Sequence, residues 1–257
     1  MSKDSLVLRH CTSLEDFALC VSLQREVWGF SDEELVPLRI FSLSPKIGGQ
    51  VVGAWDGETF VGYAMAIPGN RHGHPYLHSH MVAVKGGYRN TGLGRRLKLF
   101  QRDDAIARGY ELMEWTFDPL EIKNSYFNLE RLGAIARRYN VNQYGITNSP
   151  LQGFLPTDRL VAEWWMTSHR VNMLLATGHH ASFEAELHVD VPHQIYDWKA
   201  DPAMRAKALE IQDRNRDLLQ DAFSLGLSCL GYERDIEGNG RFQLGHWEEN
   251  LSYAPHT

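Results

Sequence analysis

The order of strand and helix patterns over the first 140 residues most constrains the fold of this chain. After a short strand pattern, apolar residues recur at helical spacing across Leu14–Trp28. Two apolar runs, residues 51–55 and 59–67, then flank Asp56-Gly57, a strong hairpin signal because glycine tolerates a positive φ angle. A third apolar run, residues 76–84, completes a predicted meander of three strands.

The same alternation continues beyond residue 85. Leu93, Leu97, Phe100 and Ala107 lie on one side of a predicted helix, and Gly109 is suited to end it. The order then predicts an α/β layered domain built on a mixed sheet. The further elements are a capping box at residues 12–15, a strand at 112–117, a short helix at 123–132 and a strand at 135–139.

The composition excludes several classes of function. Hydrophobic residues make up 43% of the 257 residues, yet no apolar run approaches the roughly 18 residues that a membrane-spanning helix needs. The polar start does not resemble a signal peptide, and the net charge of −6 argues against a nucleic-acid partner. Cys11, Cys20 and Cys229 have no paired or metal-like spacing, so we expect reduced thiols in the cytoplasm.

A glycine-rich loop joins the third strand of the meander to the next helix. Residues 89–94 read Arg-Asn-Thr-Gly-Leu-Gly, and an amphipathic helix follows at once. The unpaired amides and the positive helix dipole at such a junction suit a pyrophosphate. A plain glycine-rich turn is the alternative. A dinucleotide fingerprint would need a glycine where Leu97 stands, and the Gly-Lys-Ser/Thr of a P-loop is missing from the chain.

This loop closely resembles the coenzyme A loop of GNAT acyltransferases, whose signature is Arg/Gln-x-x-Gly-x-Gly/Ala. Arg89, Gly92 and Gly94 match the signature, and the loop follows an apolar strand and opens a long helix, as in the family. The resemblance spans residues 5–165, and residues 115–120 and 158–160 resemble a bacterial branch of the family. It implies a mixed, mostly antiparallel sheet flanked by helices, with acetyl-CoA as the acyl donor.

The resemblance also implies roles for individual residues. Val82 and Val84 would face the pantetheine arm of the donor. Asn124 would hydrogen-bond this arm, although an asparagine that opens a helix also serves as an N-cap. The general-acid tyrosine of the family falls at Leu129, which leaves Tyr126 as its local replacement. The residues expected at the phosphates are Arg89, Asn90, Thr91, Gly92, Leu93, Gly94 and Arg95.

Histidines are concentrated around the third strand of the meander. His78 and His80 are two residues apart, so their side chains should share one face. His78 falls where several GNAT enzymes carry a glutamate base, and an imidazole with a pKa of about 6.5 suits that role. A solvated strand face is the main alternative. Metal binding ranks well below both, because Pro75 breaks the tract and no Glu or Cys at ligand spacing completes a site.

Two acidic residues follow the strand after the central helix. Asp118 and Glu121 lie where GNAT active sites commonly open. Carboxylates in this turn favour a cationic acceptor, and a small-molecule amine is therefore the expected partner. A solvated turn that caps the next helix is the alternative of equal weight.

Residues 171–257 are expected to form a C-terminal α/β extension to a GNAT domain at residues 4–170. A strand pattern at residues 183–191 precedes a long helical pattern that starts at Pro202, and a terminal hairpin surrounds residues 237–240. The polar residues 212–217 interrupt the helical pattern. The sequence leaves three roles open for the extension: closing the acceptor cleft, adding to the sheet, or forming a homodimer interface.

Three functions remain open at this level. The favoured one is direct acyl transfer from acetyl-CoA to the nitrogen of a small amine or amino-acid-like acceptor. The second is a catalytically degenerate module that binds acyl-CoA as a regulatory ligand, which the irregular tyrosine motif supports. The third is a metal-dependent hydrolase that uses the histidine tract.

Overall fold

The computed structural model describes residues 6–146, 152–247 and 249. The chain divides into two compact units, Met1–Glu114 (unit 1) and Trp115–Thr257 (unit 2). This division reflects only how compactly each part of the chain packs on itself. It does not test the expected domain boundary at residue 170, which stays a prediction.

Unit 1 is built on strands in the order β1-β2-β3-β4-β5, and β5 continues into unit 2. Neighbouring strands pair antiparallel except β4 and β5, which are parallel. The predicted meander and its hairpin at Asp56-Gly57 are confirmed. The strands are β1 (Leu6–His10), β2 (Gln50–Asp56), β3 (Thr59–Arg71), β4 (His74–Val84) and β5 (Leu112–Phe117). The α-helices are α1 (Leu14–Trp28), α2 (Leu38–Leu43) and α3 (Leu93–Ala107).

Local side chains set both ends of α1. Ser13 is the N-cap, and its hydroxyl accepts a hydrogen bond from the amide of Asp16 at 3.1 Å. The Asp16 carboxylate accepts from the amide of Thr12 and pairs with Arg9 at 2.8 Å. A capping arrangement is therefore present, one residue further along the chain than predicted. Gly29 ends the helix in the left-handed conformation.

A β-bulge interrupts the pairing of β3 with β4. Ala66 pairs with Ser79, but Met65 pairs with Met81, so His80 is the extra residue. Paired residues share a face of an antiparallel sheet, whereas neighbours along a strand face opposite ways. Ser79 and Met81 therefore lie on opposite faces, although they are only two residues apart.

The two faces of this sheet are covered by different helices. On one face, the hydroxyl of Ser79 donates a hydrogen bond to Gln101 of α3 at 2.9 Å, and Val82 packs in the core cluster beneath the same helix. On the other face, Met81 belongs to the cluster that contains Phe17 of α1. The bulge thus decides which helix each residue of β4 faces.

Unit 2 contains strands in the order β7-β6-β9-β10-β8. The pairs β6–β7, β6–β9, β9–β10 and β10–β8 are all antiparallel, and the predicted terminal hairpin is confirmed as β9–β10. The strands are β6 (Ile135–Asn140), β7 (Arg159–Trp165), β8 (Leu187–Val191), β9 (Leu227–Arg234) and β10 (Gly240–His246). The α-helices are α4 (Ile122–Tyr126), α5 (His169–Thr177), α6 (Ile195–Ala200) and α7 (Arg205–Ser224).

Helix α7 runs unbroken through the polar residues that interrupt its sequence pattern. Gln212 and Asn215 are buried, and their side-chain amides donate to the carbonyls of Pro156 at 2.7 Å and Asp190 at 3.1 Å. Because the NH2 group of each amide has an acceptor, these residues are compatible with the covered face of a helix. Strand β8 begins at Leu187 and is shorter than predicted.

Both units layer helices on β-structure whose described strand pairs are antiparallel except at β4–β5, so the predicted α/β class is confirmed. None of the described helices combines the length and the apolar character that crossing a membrane requires. Helices α2, α5 and α6 and strand β7 are additions to the predicted elements.

A buried carboxylate on β7 links two arginines of β6. Glu163 is 2% exposed and accepts hydrogen bonds from Arg137 and Arg138, each at 3.0 Å. Burial opposes the ionisation of Glu163, but the two guanidinium groups outweigh it and lower its pKa.

We expect Glu163→Gln to lower the free energy of unfolding by about 3 kcal/mol, because it removes the carboxylate from between two largely buried cations. Since the folded pKa lies below the unfolded value near 4.5, this contribution is present above that pH and is lost as the pH falls through the folded pKa. Urea unfolding at pH 7 and in acid measures the difference, which should shrink in acid.

The matched control is Asp32→Asn, which removes the exposed partner of Arg25. It should cost less than about 1 kcal/mol, as exposed pairs do. An equal cost for both variants would contradict the importance of burial at Glu163.

Candidate functional site

The glycine-rich loop of unit 1 leads directly from β4 into α3. Residues 86–88 form a 3-10 turn, Asn90 has a φ of 62°, and Gly92 is the N-cap of α3 with a φ of 89°. Both angles lie in the left-handed region, which glycine and asparagine adopt at least cost. The hydroxyl of Thr91 donates to the carbonyl of Tyr88 at 2.7 Å and ties the loop together.

The start of α3 is accessible to an anion. Among the described residues no side chain caps this helix, and the amide of Arg96 bonds to the carbonyl of Gly92 as the helix begins. A methyl group added at Gly94 would meet only Val84, at 4.0 Å. The backbone here can therefore be approached closely, and the helix dipole favours negative charge at this end.

Val82 and Val84 lie just before the loop on the α3 face of β4. Both side chains are half-buried and pack against the core cluster that contains Leu93 and Leu97. Their side chains thus serve the core of unit 1, and a contact with a bound arm would come from their backbone.

His78 and His80 lie on the face of β4 opposite to Val82 and Val84. Their ring centroids are 5.9 Å apart, so the predicted proximity of the two imidazoles is confirmed. His78 pairs with Ile67, which packs against the α1 cluster. Within residues 6–146, 152–247 and 249, no three His, Cys, Asp or Glu side chains come together as a metal site would require.

A buried ion pair borders these histidines. Glu114 is the register partner of His78 across the parallel β4–β5 pair and is 2% exposed. Arg71 donates to both of its carboxylate oxygens at 2.6 Å, and the guanidinium lies 5.0 Å from the ring centre of Tyr76. Such a bidentate pair fixes the orientation of both side chains. The sequence reasoning missed this pair, whose only signal was an acidic residue inside the apolar run of β5.

Burial keeps His78 neutral. It lowers the pKa of His78 to about 4, and the positive fields of His80, Lys98 and Arg71 act in the same direction. Burial also lowers the pKa of His80, although part of that ring reaches solvent. Lys98 on α3 is 2% exposed, and burial lowers its pKa as well. Both imidazoles are therefore uncharged near neutral pH, and the low pKa makes His78 a weaker proton acceptor than an ordinary histidine.

Asp118 and Glu121 lie together in unit 2, but they face an internal cation. The ammonium of Lys199, which is 5% exposed, lies 3.0 Å from a carboxylate oxygen of each. Burial opposes the charge on Lys199, yet the two carboxylates outweigh it and raise its pKa. A lysine of the chain thus occupies the position predicted for an acceptor amine. Acceptor binding by these carboxylates would require its displacement.

Asn124 and Tyr126 both lie on α4 of unit 2. Glu121 rather than Asn124 occupies the N-cap position, and Asn124 is exposed. The chain then winds into a π-helical turn over Phe127–Arg131. Such a turn holds one more residue than an α-helical turn. Leu129, where the family's tyrosine falls, is fully buried. The roles of Asn124 and Tyr126 stay predictions.

Comparison with protein families agrees with the geometry of unit 1. Residues 17–127 match the model of the acetyltransferase (GNAT) family. No curated protein matches the chain in sequence.

Solved structures share the fold at low sequence identity. A GNAT-family protein of Desulfovibrio desulfuricans is 17% identical over 63% of this chain and 99% of its own, with a TM-score of 0.50. The ribosomal-protein-S18-alanine N-acetyltransferase of Escherichia coli is 14% identical over 63% and 95%, with a TM-score of 0.51. The yncA protein of Salmonella typhimurium, solved with acetyl-CoA, is 16% identical over 65% and 96%, with a TM-score of 0.51. Identities this low establish the fold alone.

We expect the ring of His78 to titrate near pH 4 in NMR spectra of histidine-labelled protein. Because the folded pKa lies below the unfolded value of 6.5, the neutral ring contributes stability that is complete above pH 6.5 and is lost as the pH falls toward 4. His78→Gln should therefore flatten the decline in the free energy of unfolding over that interval. His179→Gln, at an exposed position, is the control. A His78 midpoint near pH 6.5 would show that the ring is hydrated.

Proposed function

Because the chain carries a GNAT acetyltransferase domain, we propose that it transfers the acetyl group of acetyl-CoA to the nitrogen of a small amine or amino-acid-like acceptor. The observation that carries this proposal is the uncapped start of α3 behind the loop of Arg89, Gly92 and Gly94. Acetyl-CoA supplies an activated thioester and a pyrophosphate by which it can be held. The shared fold of the Salmonella protein, solved with acetyl-CoA, supports this choice of donor.

The loop residues fit a pyrophosphate in both shape and charge. Residues 85–96 contain four basic side chains and no acidic one. The amides of the first helical turn need partners outside the helix, and phosphate oxygens are suitable acceptors. Gly94 leaves these amides uncovered, while the left-handed Gly92 turns the chain sharply into the helix.

The proton acceptor that we assign is His78, with His80 as the second candidate. An amine attacks the thioester carbon as its nitrogen loses a proton, and the carbon–sulfur bond then breaks. His78 is neutral and lies beside the oriented Arg71–Glu114 pair, so it can take up this proton. The ring of His80 reaches solvent and can pass the proton on.

The cytoplasm is the location that we assign. Cys11, Cys20 and Cys229 are buried free thiols. Free thiols of this kind persist in a reducing compartment, which supports the assignment.

The first test concerns the donor. At about 100 times its Kd, acetyl-CoA should raise the Tm of the wild-type protein by about 5–10 °C. Gly94→Glu should abolish this shift, because its carboxylate would repel the phosphates at the open helix end. This position suits the test, since a side chain there meets only Val84, whereas Gly92→Glu would also strain a backbone with φ of 89°.

Ala206→Glu is the matched control, since it adds the same charge to an exposed position in the first turn of α7. It should keep the full shift. An undiminished shift in Gly94→Glu would place the phosphates elsewhere, and no shift in the wild type would contradict the proposed function.

The second test concerns the base. Release of thiol from acetyl-CoA with a panel of primary amines and amino acids measures turnover. His78→Gln should lower kcat/KM by about 10²–10⁴-fold for any acceptor that the wild type accepts, the usual contribution of a positioned base. It should leave the acetyl-CoA-dependent Tm shift intact, because the loop does not depend on the imidazole.

His80→Gln is the companion variant, and His179→Gln is the control for loss of any imidazole. If both His78→Gln and His80→Gln retain activity within a few-fold, the base lies elsewhere. If the wild type binds acetyl-CoA but releases no thiol with any acceptor, a regulatory acyl-CoA-binding module is the better description.

A further inference from the structure

Unit 2 contains a cavity of about 900 Å³ that is partly open to solvent. It is lined by residues of α4, α6 and α7 and of strands β8, β9 and β10. Tyr126, Trp198, Ile211 and Tyr232 give it aromatic and apolar walls. A cavity of this size, with such walls and a few polar groups, is typical of small-molecule sites.

Successive side chains along β9 point to opposite faces of the sheet, which directs an acidic side chain away from the face of Tyr232. Tyr232 and Arg234 share a face, whereas Glu233 between them faces the opposite way. Glu233 of β9 lies opposite Arg241 of β10 in the strand register, and Arg241 lies opposite Asp190 of β8. The guanidinium of Arg241 also forms an ion pair with the carboxylate of Asp190 at 2.6 Å. The carboxylates of Glu233 and Asp190 are thus directed away from the face that carries Tyr232.

Asp235, the third acidic residue of the lining, is held by hydrogen bonds within its own turn. The carboxylate of Asp235 accepts hydrogen bonds from the amide of Asn239 at 2.8 Å and from the amide of Glu237 at 2.9 Å. It therefore stabilises its own turn. The side chain of Asn239 and these amides lower the pKa of Asp235, so its carboxylate stays charged while it is held in the turn.

Arg214 and Arg234 are two of the three arginines that line the cavity. Arg234 lies with its guanidinium 5.9 Å from the ring centre of Tyr126, and Arg214 donates to the carbonyl of Asp190 and to the side chain of Asn215. In the described part of the chain, neither guanidinium forms an ion pair with a carboxylate. A planar guanidinium with free donors favours a carboxylate or phosphate ligand.

A buried hydroxyl adds a second polar group. Tyr232 is 2% exposed, and Gly240 leaves room for its hydroxyl, since any side chain there would overlap it. Burial raises the pKa of Tyr232, and a side-chain hydrogen bond with Ser125 acts in the opposite direction. The two buried hydroxyls therefore lie side by side beneath the cavity wall.

We propose that this cavity is a binding site for a small aromatic carboxylate. The carboxylate lies against Arg234 and Arg214, and the ring lies between Tyr126, Trp198 and Tyr232. The aromatic walls favour an organic acid over inorganic phosphate, which would leave them uncovered. This site is a property of unit 2 and does not depend on the acetyl transfer proposed above.

Isothermal titration calorimetry of the full chain, without acetyl-CoA, tests the proposal. Indole-3-acetate and phenylacetate are the probes, indole-3-acetamide is the uncharged match, and inorganic phosphate is the competing anion. At least one acid should bind with a Kd of about 1 mM or lower, and the amide should bind at least about tenfold more weakly. Phosphate should bind more weakly than the acids.

Paired variants of two arginines of the same hairpin locate the site. Arg234→Gln should weaken binding of the acid about tenfold or more, whereas Arg241→Gln, which also lines the cavity but already pairs with Asp190, should weaken it much less.

Three results would overturn the proposal: no binding of either acid at about 10 mM, equal affinity for acid and amide, or equal effects of Arg234→Gln and Arg241→Gln. Phosphate that binds more tightly than both acids would also overturn it. If Arg234→Gln does not fold, the comparison of acid with amide on the wild-type protein decides.

Discussion

The bulge at His80 is the constraint on which unit 1 depends. Along a regular strand, residues 79 and 81 would face the same helix, because side chains alternate with a period of two. Ser79 donates a hydrogen bond to the side-chain oxygen of Gln101 on α3, whereas Met81 packs in the apolar cluster of α1. A regular strand would direct both side chains to the same helix. One extra residue separates them, and it leaves His80 outside the ladder, near His78.

The elements that local patterns specify were predictable from the sequence. Asp56-Gly57 fixes a hairpin and Gly92 fixes the start of α3, because each glycine acts through its own backbone angles. The loop of the candidate site follows from the same short-range chemistry. The division of β4 between two helices could not be predicted in this way, because a bulge arises from the pairing of two strands and not from the sequence of one. It places Val82 and Val84 opposite to the histidines, a separation that strand spacing alone does not show.

Charged partners that are distant in sequence were beyond prediction for a different reason. From the sequence alone, Asp118 and Glu121 look like ligands for an acceptor, because nothing there shows that Lys199 of a later helix pairs with both. Arg71 and Glu114 carry no local signal of their pairing either. In each case burial requires a partner, since an unpaired buried charge is costly, but the sequence does not say which residue supplies it. The fold decides, and the functional reading of the carboxylates changes with it.

The two units use strand alternation in opposite ways. In unit 1 a bulge breaks the alternation and separates Val82 and Val84 from the imidazole of His78. In unit 2 an unbroken stretch at the end of β9 separates Glu233 from Tyr232 and Arg234. The register shift between β9 and β10 lies at Gln243/Leu244, beyond this stretch, so it leaves the separation intact. A shift of one residue nearer the turn would bring Glu233 to the cavity face and turn Arg234 away from it. The positive character of that face therefore depends on the register of a hairpin, and its tight turn at residues 235–239, held by Asp235, is what fixes this register.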